Sequence, residues 1–474
     1  MGRALLTDLY ELTMMQGYFF HKLNPYVVFD MFFRRQTFNG GFAVFAGLED
    51  ILKTLSTLRF TEEDITYLDS LKLFKKEFLL FLKDFRFTGQ VYSMEEGTLV
   101  FPNEPLVRIH APLIEAQLIE SFLLNTINFQ TLIATKTARI FLATGQGIIL
   151  EFGLRRAHGP DGALSASRAS YIGGAAATSN VMAGKMLGIP VKGTMAHSWI
   201  MAFPGELESF EKYAEVFPSN SILLVDTYDT LESGIQNAIK VGLKLKSKGY
   251  EGFGVRLDSG DLEYLSKRAR LMLDKAGLKS AKIAVSNELD EEIIQELRMK
   301  SSPIDIWGVG TNLVTGSGDP SLTGVYKLVA KKINNQYEPA IKVSDNPIKI
   351  TNPGIKQVYR FYDKEDGPLA DLLALEEEEI VEGRTYHFYH PIFDYKHMEL
   401  KEYSYIEPLL SLKLDNGKIT GANPSLIDIQ NRAKENLKRL DSTYRRLKNP
   451  HVYKVSLSGK VKELKDRLIK KMTG

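Results

Sequence analysis

The sequence predicts an α/β protein: an irregular or incomplete TIM-like barrel packed with a mixed α/β domain. Three observations point there. The chain has 474 residues, several times the ~150 of one typical domain. Between residues 131 and 330, short runs rich in Val, Ile and Leu alternate with amphipathic segments, the rhythm of repeated βα units on a parallel sheet. Seven such runs suit a barrel better than an open Rossmann sheet. Composition agrees with a globular protein, at 44% hydrophobic and 25% charged residues.

The chain reads as three zones in order. In residues 1–130, FTEEDITYLDSLKLFKKEFLLFL has helical spacing, with Thr61 as N-cap and Asp64 three residues later. TGQVYSMEEGTLVFPNEPLVRIHAP then reads as short strands broken by Gly97, Pro102 and Pro105. In residues 131–330 the expected strands are 147–153, 189–195, 221–227, 252–258, 281–287, 304–310 and 324–330. Residues 331–474 return to strand-like stretches, pass through an acidic run at Glu376–Glu379 that reads as a solvated surface, and end in helices. This last zone is expected to pack with the first.

Charge and cysteine usage exclude several classes. The net charge is +2, yet residues 432–474 carry 14 basic and 4 acidic groups. Leu and Ile fall at helical intervals through that tail, and its two tyrosines, Tyr444 and Tyr453, are too few to interleave as a nucleic-acid stacking platform needs. Amphipathic helices with solvated basic faces are expected, and no nucleic-acid partner. No cysteine occurs, which excludes thiol nucleophiles, Cys-ligated metal and disulfides. No apolar run approaches the ~18 residues of a membrane span. Asp8 and Glu11 interrupt any signal-peptide core, and Leu6 breaks the myristoylation pattern. A cytoplasmic protein without membrane association is the expectation.

The residues at and just beyond each candidate strand end carry the chemistry. Arg155 lies beyond the first; Thr194, His197 and Ser198 close or succeed the second; Asp226 ends the third. Arg256 and Asp258 come with the fourth, Asn287 with the fifth, and Gly308, Gly310, Thr311 and Asn312 with the sixth. In a βα barrel these positions converge on the C-terminal face, where sites are built. Arg155, Arg168 and Arg256 are forked cations suited to phosphate or carboxylate oxygens. Asp226 and Asp258 could hold Mg²⁺ or ribose hydroxyls. The turn GVGTN can bring backbone N–H groups to a phosphate. Together these imply a phosphorylated sugar or nucleotide ligand with Mg²⁺. His197 could serve as base, metal ligand, phosphate-accepting nucleophile or core residue. His387 and His390, in HFYH, read as structural. Neither a P-loop nor a dinucleotide fingerprint is present: Ser179, Leu412 and Lys454 stand where a P-loop needs glycine, and Leu313 and Leu257 where GxGxxG does.

The segments LLTDLYELTMMQGYF, EGTLVFPNEPLVRIHAP, LIESFLLNTINFQTLIATKTAR, EFGLRRAHGPDGALSASRASYIGG, GTMAHSWIMAF, GVRLDSGDL and GVGTNLVT resemble the nicotinate phosphoribosyltransferase family. The resemblance runs in order from residue 5 to about 360, and the remainder is similar to its longer bacterial form. It implies an irregular α/β barrel packed on a mixed α/β domain, and a homodimer with shared active sites. The implied reaction joins nicotinate to 5-phosphoribosyl 1-diphosphate, giving nicotinate mononucleotide and diphosphate, coupled to ATP hydrolysis through a phosphohistidine at His197. The resemblance also implies that Tyr10, from the partner subunit, and Phe152 sandwich the nicotinate ring. Thr194 and Arg256 would meet its carboxylate, and Asp226 and Asp258 would orient Mg²⁺ and the ribose. Gly308, Gly310, Thr311 and Asn312 would cradle the 5-phosphate, with Arg155 and Arg168 on diphosphate or ATP. Which carboxylate orients the His197 ring is left open by the sequence, with Asp226 as the candidate named. Relatives acting on nicotinamide or quinolinate, or a barrel that only binds a phosphosugar or nucleotide, are the alternatives.

Overall fold

The computed structural model describes residues 3–421 and 424–473. The chain divides into two compact units, Met1–Leu132 with Ser321–Gly474, and Ile133–Pro320.

The second unit is built on six parallel strands, ordered Ala177–Thr178, Ile148–Glu151, Ile306–Val309, Lys282–Val285, Gly254–Leu257 and Ile222–Leu224. Helices such as Ile235–Ser247 and Leu262–Lys275 supply the crossovers that parallel pairing demands. The buried faces read as continuous apolar runs, as in Val255, Leu257, Ile283, Val285, Trp307 and Val309. Among the described residues the two edge strands do not pair with each other, so the expected barrel is not closed. Two expected strands also differ. Residues 189–195 make a single parallel bridge, Val191 to Thr178, because Pro190 has no N–H and Gly193 ends the run. The stretch at 324–330 is a strand, Gly324–Ile333, but it pairs antiparallel with Tyr26–Phe33 in the other unit.

That first unit holds a seven-stranded antiparallel sheet with Tyr26–Phe33 inside it, and a six-stranded mixed sheet from Lys356 onward. Thr61 and Asp64 form a capping box, so the helix starts where the sequence places it. It stops at Ser70; Lys72 adopts φ 57°, and a second helix runs Lys76–Lys83. The C-terminal helices Leu426–Arg439 and Gly459–Thr473 bury Ile429, Ala433 and Leu437, and Val461, Leu464 and Leu468, as the amphipathic spacing requires. The acidic run lies at the surface as expected, with Glu376, Glu377 and Glu379 exposed and Glu378 partly so, and two of its residues also make contacts. Glu376 meets the buried Arg108 guanidinium at 3.0 Å, and Glu378 accepts from Leu375 N–H and the Ser458 hydroxyl.

A buried charged cluster ties Phe101–Glu104 to the six-stranded sheet. Arg360 forks onto Asp371 at 2.9 and 2.7 Å, and Tyr453 Oη donates to Asp371 at 3.0 Å. Glu104 accepts from Phe101 N–H on one oxygen, while its Oε2 is buried without a hydrogen-bond partner among the described residues. One guanidinium cannot neutralise two carboxylates in a dry interior. Burial, then the Asp371 charge, pushes the Glu104 carboxyl well up, against the opposing pull of Arg360 and Phe101 N–H. Because the folded state binds the Glu104 proton more tightly than the unfolded chain, this contribution to stability is complete below about pH 4 and declines as pH rises toward the elevated folded value. Glu104→Gln, which keeps a donor without a proton to lose, is expected to flatten the fall of Tm with rising pH, measured by thermal melts from pH 5 to about pH 9.

Candidate active site

The C-terminal ends of the parallel strands open on a cavity of about 630 Å³. Phe152, Arg155, Thr194, His197, Arg256, Asp258, Asn287, Gly308, Gly310 and Thr311 line it. The carboxyl edge of a parallel sheet is where ligands bind in α/β proteins, since crossovers leave a crevice there.

Arg256, on Gly254–Leu257, organises one wall. Its Nη1 donates to Thr194 Oγ1 at 2.8 Å and to the Met195 carbonyl at 3.2 Å; Nε donates to Ser286 Oγ at 2.9 Å; Nη2 donates to Asp258 Oδ1 at 2.9 Å. The Ser286 hydroxyl in turn donates to Asp258 Oδ1. Burial pushes the Asp258 carboxyl up, but Arg256, Ser286 and His197 together outweigh it and hold the group below the ordinary aspartate value. The guanidinium also lies 5.7 Å from the Phe152 ring centre, within cation–π range.

His197 begins a short helix, His197–Met201. Its Nδ1 lies 3.1 Å from Thr227 Oγ1 and its Nε2 3.6 Å from Asp258 Oδ2. The candidate partner, Asp226, is engaged elsewhere: Asp226 Oδ2 accepts from Asp258 N–H at 2.9 Å and Ser259 Oγ at 2.6 Å. That arrangement ties two neighbouring strand ends together and leaves the ring to Thr227 and Asp258.

Phe152 is aimed by groups that composition did not single out. Buried Glu151 accepts from Gly153 N–H, Ser167 Oγ and Thr178 Oγ1, pinning the turn after its strand. Opposite, a Cβ on Gly308 would sit 2.8 Å from the Phe152 ring, so only glycine leaves room. On the far side Asn287 and Glu288 adopt φ 88° and 43°, an unusual pair for non-glycine residues. Asn312 Nδ2 donates to the Glu288 carbonyl at 2.9 Å and the Leu289 carbonyl at 3.3 Å, holding that turn. Arg155 and Arg156 stand exposed at the rim without an ion pair among the described residues.

Five expected residues do not line the cavity. Tyr10 is exposed on Leu9–Phe20 in the other unit. Arg168 is buried on the inner face of Gly159–Ile172, neither at the cavity nor at the surface. Ser198 is exposed, Asp226 lies behind Asp258, and Asn312 turns to the Glu288 carbonyl. Ser286, Glu288, Ser179 and Met195 line the cavity without having been singled out; Ser286 sits near the end of an expected strand, the one signal that marks it.

Fold and site define an α/β protein with an arginine-lined cavity at the carboxyl edge of a parallel sheet. Comparison narrows this. Family models for nicotinate phosphoribosyltransferase match residues 149–366, its N-terminal domain 5–128, and its C-terminal domain 355–465. The nicotinate phosphoribosyltransferase of Bacillus subtilis is 43% identical over 96% of this chain and 93% of its own, and that of Homo sapiens 35% identical over 98% and 97%. A crystal structure of human nicotinic acid phosphoribosyltransferase superposes with TM-score 0.86 at 33% identity, covering 98% of this chain and 100% of that one. The fold is also that of a nicotinate-nucleotide pyrophosphorylase from Pyrococcus furiosus, with TM-score 0.70 at 24% identity over 91% and 94%. The chain belongs to the nicotinate phosphoribosyltransferase family.

Gly308→Ala is expected to drive its methyl into the Phe152 ring and lower stability by about 1–3 kcal/mol, read from denaturant melts.

Proposed function

We propose that the chain transfers the phosphoribosyl group of 5-phosphoribosyl 1-diphosphate to nicotinate, releasing nicotinate mononucleotide and diphosphate. The observation that carries this is the Arg256–Thr194 pair beside the Phe152 ring, in a cavity whose other walls hold Gly310, Thr311 and Arg155. An aromatic acid fits the first wall, ring against Phe152 and carboxylate against the guanidinium and hydroxyl. The ring nitrogen forms its bond to the ribose C1 while the C1–O bond breaks, and the electron pair leaves with diphosphate. Arg155 at the rim is disposed toward that departing charge, and the Gly310–Thr311 turn toward the 5-phosphate. Alignment of ring nitrogen and C1 supplies much of the rate.

ATP enters this reading as co-substrate. Its γ-phosphoryl would pass to His197, with Nδ1 held by Thr227, and water would later release phosphate. The added charge lies beside Asp258 and would reorganise the Asp258–Arg256 pair. Mg²⁺ fits as an ion arriving with phosphate oxygens: no cluster of three or more ligating side chains occurs among the described residues, whereas Asp226 Oδ1 is buried without a hydrogen-bond partner among them. Asp226 and Asp258 would hold it, and it would neutralise leaving-group charge. A homodimer with shared sites, each taking Tyr10 from the partner, is supported by the exposed apolar residues Leu6, Leu9, Tyr10 and Met14. We also read the parallel sheet as an irregular, incomplete barrel. No helix is long and apolar enough to cross a membrane, and the absence of cysteine supports a cytoplasmic setting.

Turnover measured with nicotinate, nicotinamide and quinolinate, each with and without ATP, tests the reading. Nicotinate alone should react well, faster with ATP; preference for the amide or the diacid, or no turnover, overturns it. His197→Ala should abolish ³²P incorporation from γ-labelled ATP and the ATP stimulation while leaving slow ATP-independent transfer. Arg256→Lys, which loses the planar fork, should raise the nicotinate KM at least about tenfold, measured by initial rates.

A further inference from the structure

A guanidinium has five N–H bonds. Four of those on Arg256 are spoken for: one by Ser286, two by Thr194 and the Met195 carbonyl, one by Asp258. A single Nη2 N–H remains for a ligand. The forked grip that Arg256 was expected to offer is therefore not available unless a partner lets go. Which N–H faces the cavity depends on how the guanidinium plane is rotated, and Nε fixes that rotation.

Ser286 sits at this point. It is buried, at 4% exposure, and its one hydroxyl accepts from Arg256 Nε while donating to Asp258 Oδ1. It thus orients both members of the ion pair at once. A methyl in its place would leave Nε–H without an acceptor and take one of the two donors from Asp258 Oδ1, leaving that oxygen to Arg256 Nη2 alone. We propose that Ser286 is a positioning residue of this site, locking the Arg256 guanidinium and the Asp258 carboxylate in one register so that the remaining Nη2 N–H and the Thr194 hydroxyl present a two-point anchor, one group from each residue, for a monocarboxylate ring substrate. This rests on the nicotinate-transfer reading above. It adds that affinity for the acid is set by a residue that does not itself touch the carboxylate.

The test compares the full chain with Ser286→Ala, Ser286→Thr and Ser286→Cys, in initial-rate assays and thermal melts. Turnover of nicotinate by the unaltered chain tests the reading itself, before any variant is made. Given that turnover, Ser286→Ala should raise the nicotinate KM about tenfold, more than it raises the 5-phosphoribosyl 1-diphosphate KM, with kcat within about threefold. Ser286→Thr, which keeps the hydroxyl, should restore the KM. Ser286→Cys, nearly isosteric but a poor donor, should fall between, and it carries the test if the alanine variant does not fold. Unaltered nicotinate KM in the alanine or cysteine variant overturns the proposal. So does an equal loss for both substrates that tracks a lowered Tm and is not rescued by threonine.

Discussion

Arg256 must place its cation in a half-buried cavity without leaving N–H groups unsatisfied, and the site is arranged around that demand. A guanidinium withdrawn from water loses strong hydration and needs acceptors in its own plane. The chain supplies a hydroxyl from the segment after residue 191, a carbonyl beside it, a serine from the next strand end and a carboxylate two residues on, just past the end of its own strand. Separate segments of the chain are thereby held to one planar group. Parallel strands make this possible, because their ends arrive side by side on one edge, each able to contribute a single side chain.

The first unit shows what happens to charge when no cavity is left. Lys356 meets Asp30 at 2.8 Å and caps the Asn352 and Gly354 carbonyls. Arg360 is forked onto Asp371 and lies against the Phe101 and Tyr453 rings. These groups are buried and inward-facing. Such pairs specify one packing more than they add stability. The Arg256 pair differs in one respect: the Asp258 side chain keeps 24% exposure and the Arg256 side chain 12%, so solvent or ligand can compete for the remaining positions. Partial exposure, rather than the ion pair as such, separates a binding group from a structural one here.

Much of this arrangement was legible because strand ends are legible. Val/Ile/Leu runs marked five of the parallel strands, and most of the residues at or just beyond their ends, among them Arg155, Arg256, Asp258, Asn287, Gly310 and Thr311 but not Asp226, fell together on the cavity. The family resemblance supplied a role for His197 that periodicity alone left open. The features that escaped did so for physical reasons. Ala177–Thr178 is a two-residue strand, too short to leave a periodic signal. The strand Gly324–Ile333 carries the same apolar pattern as its predecessors, and only its antiparallel partner Tyr26–Phe33, some three hundred residues away, assigns it elsewhere. Arg168 shares a residue type with phosphate-binding arginines, but its place on the helix turns it inward. Asp226 precedes Thr227, and it is the smaller neighbour whose hydroxyl reaches the His197 ring. Side-chain direction at a strand end is set by the adjoining turn, which local composition encodes weakly.

Charge balance gives the cavity its remaining logic. Three guanidiniums, Arg155, Arg156 and Arg256, face two carboxylates, Asp258 and Glu288, an excess of one positive charge before the His197 ring is considered. A phosphate monoester alone brings about two negative charges near neutral pH, and a phosphoribosyl diphosphate with an aromatic carboxylate brings considerably more. A cavity of this volume cannot dilute that excess, since like charges a few ångströms apart in a partly dry site repel strongly. The substrates the site is proposed to take must therefore arrive with their own cation or meet further positive groups as they bind. This is the physical reason that a divalent ion carried on phosphate oxygens, rather than one held in an all-protein cage, belongs to the proposed reaction. It is also why an aspartate already paired with Arg256 suits the role: its charge is partly spent on the guanidinium, and it can shift toward an incoming cation without exposing a bare carboxylate to the phosphates.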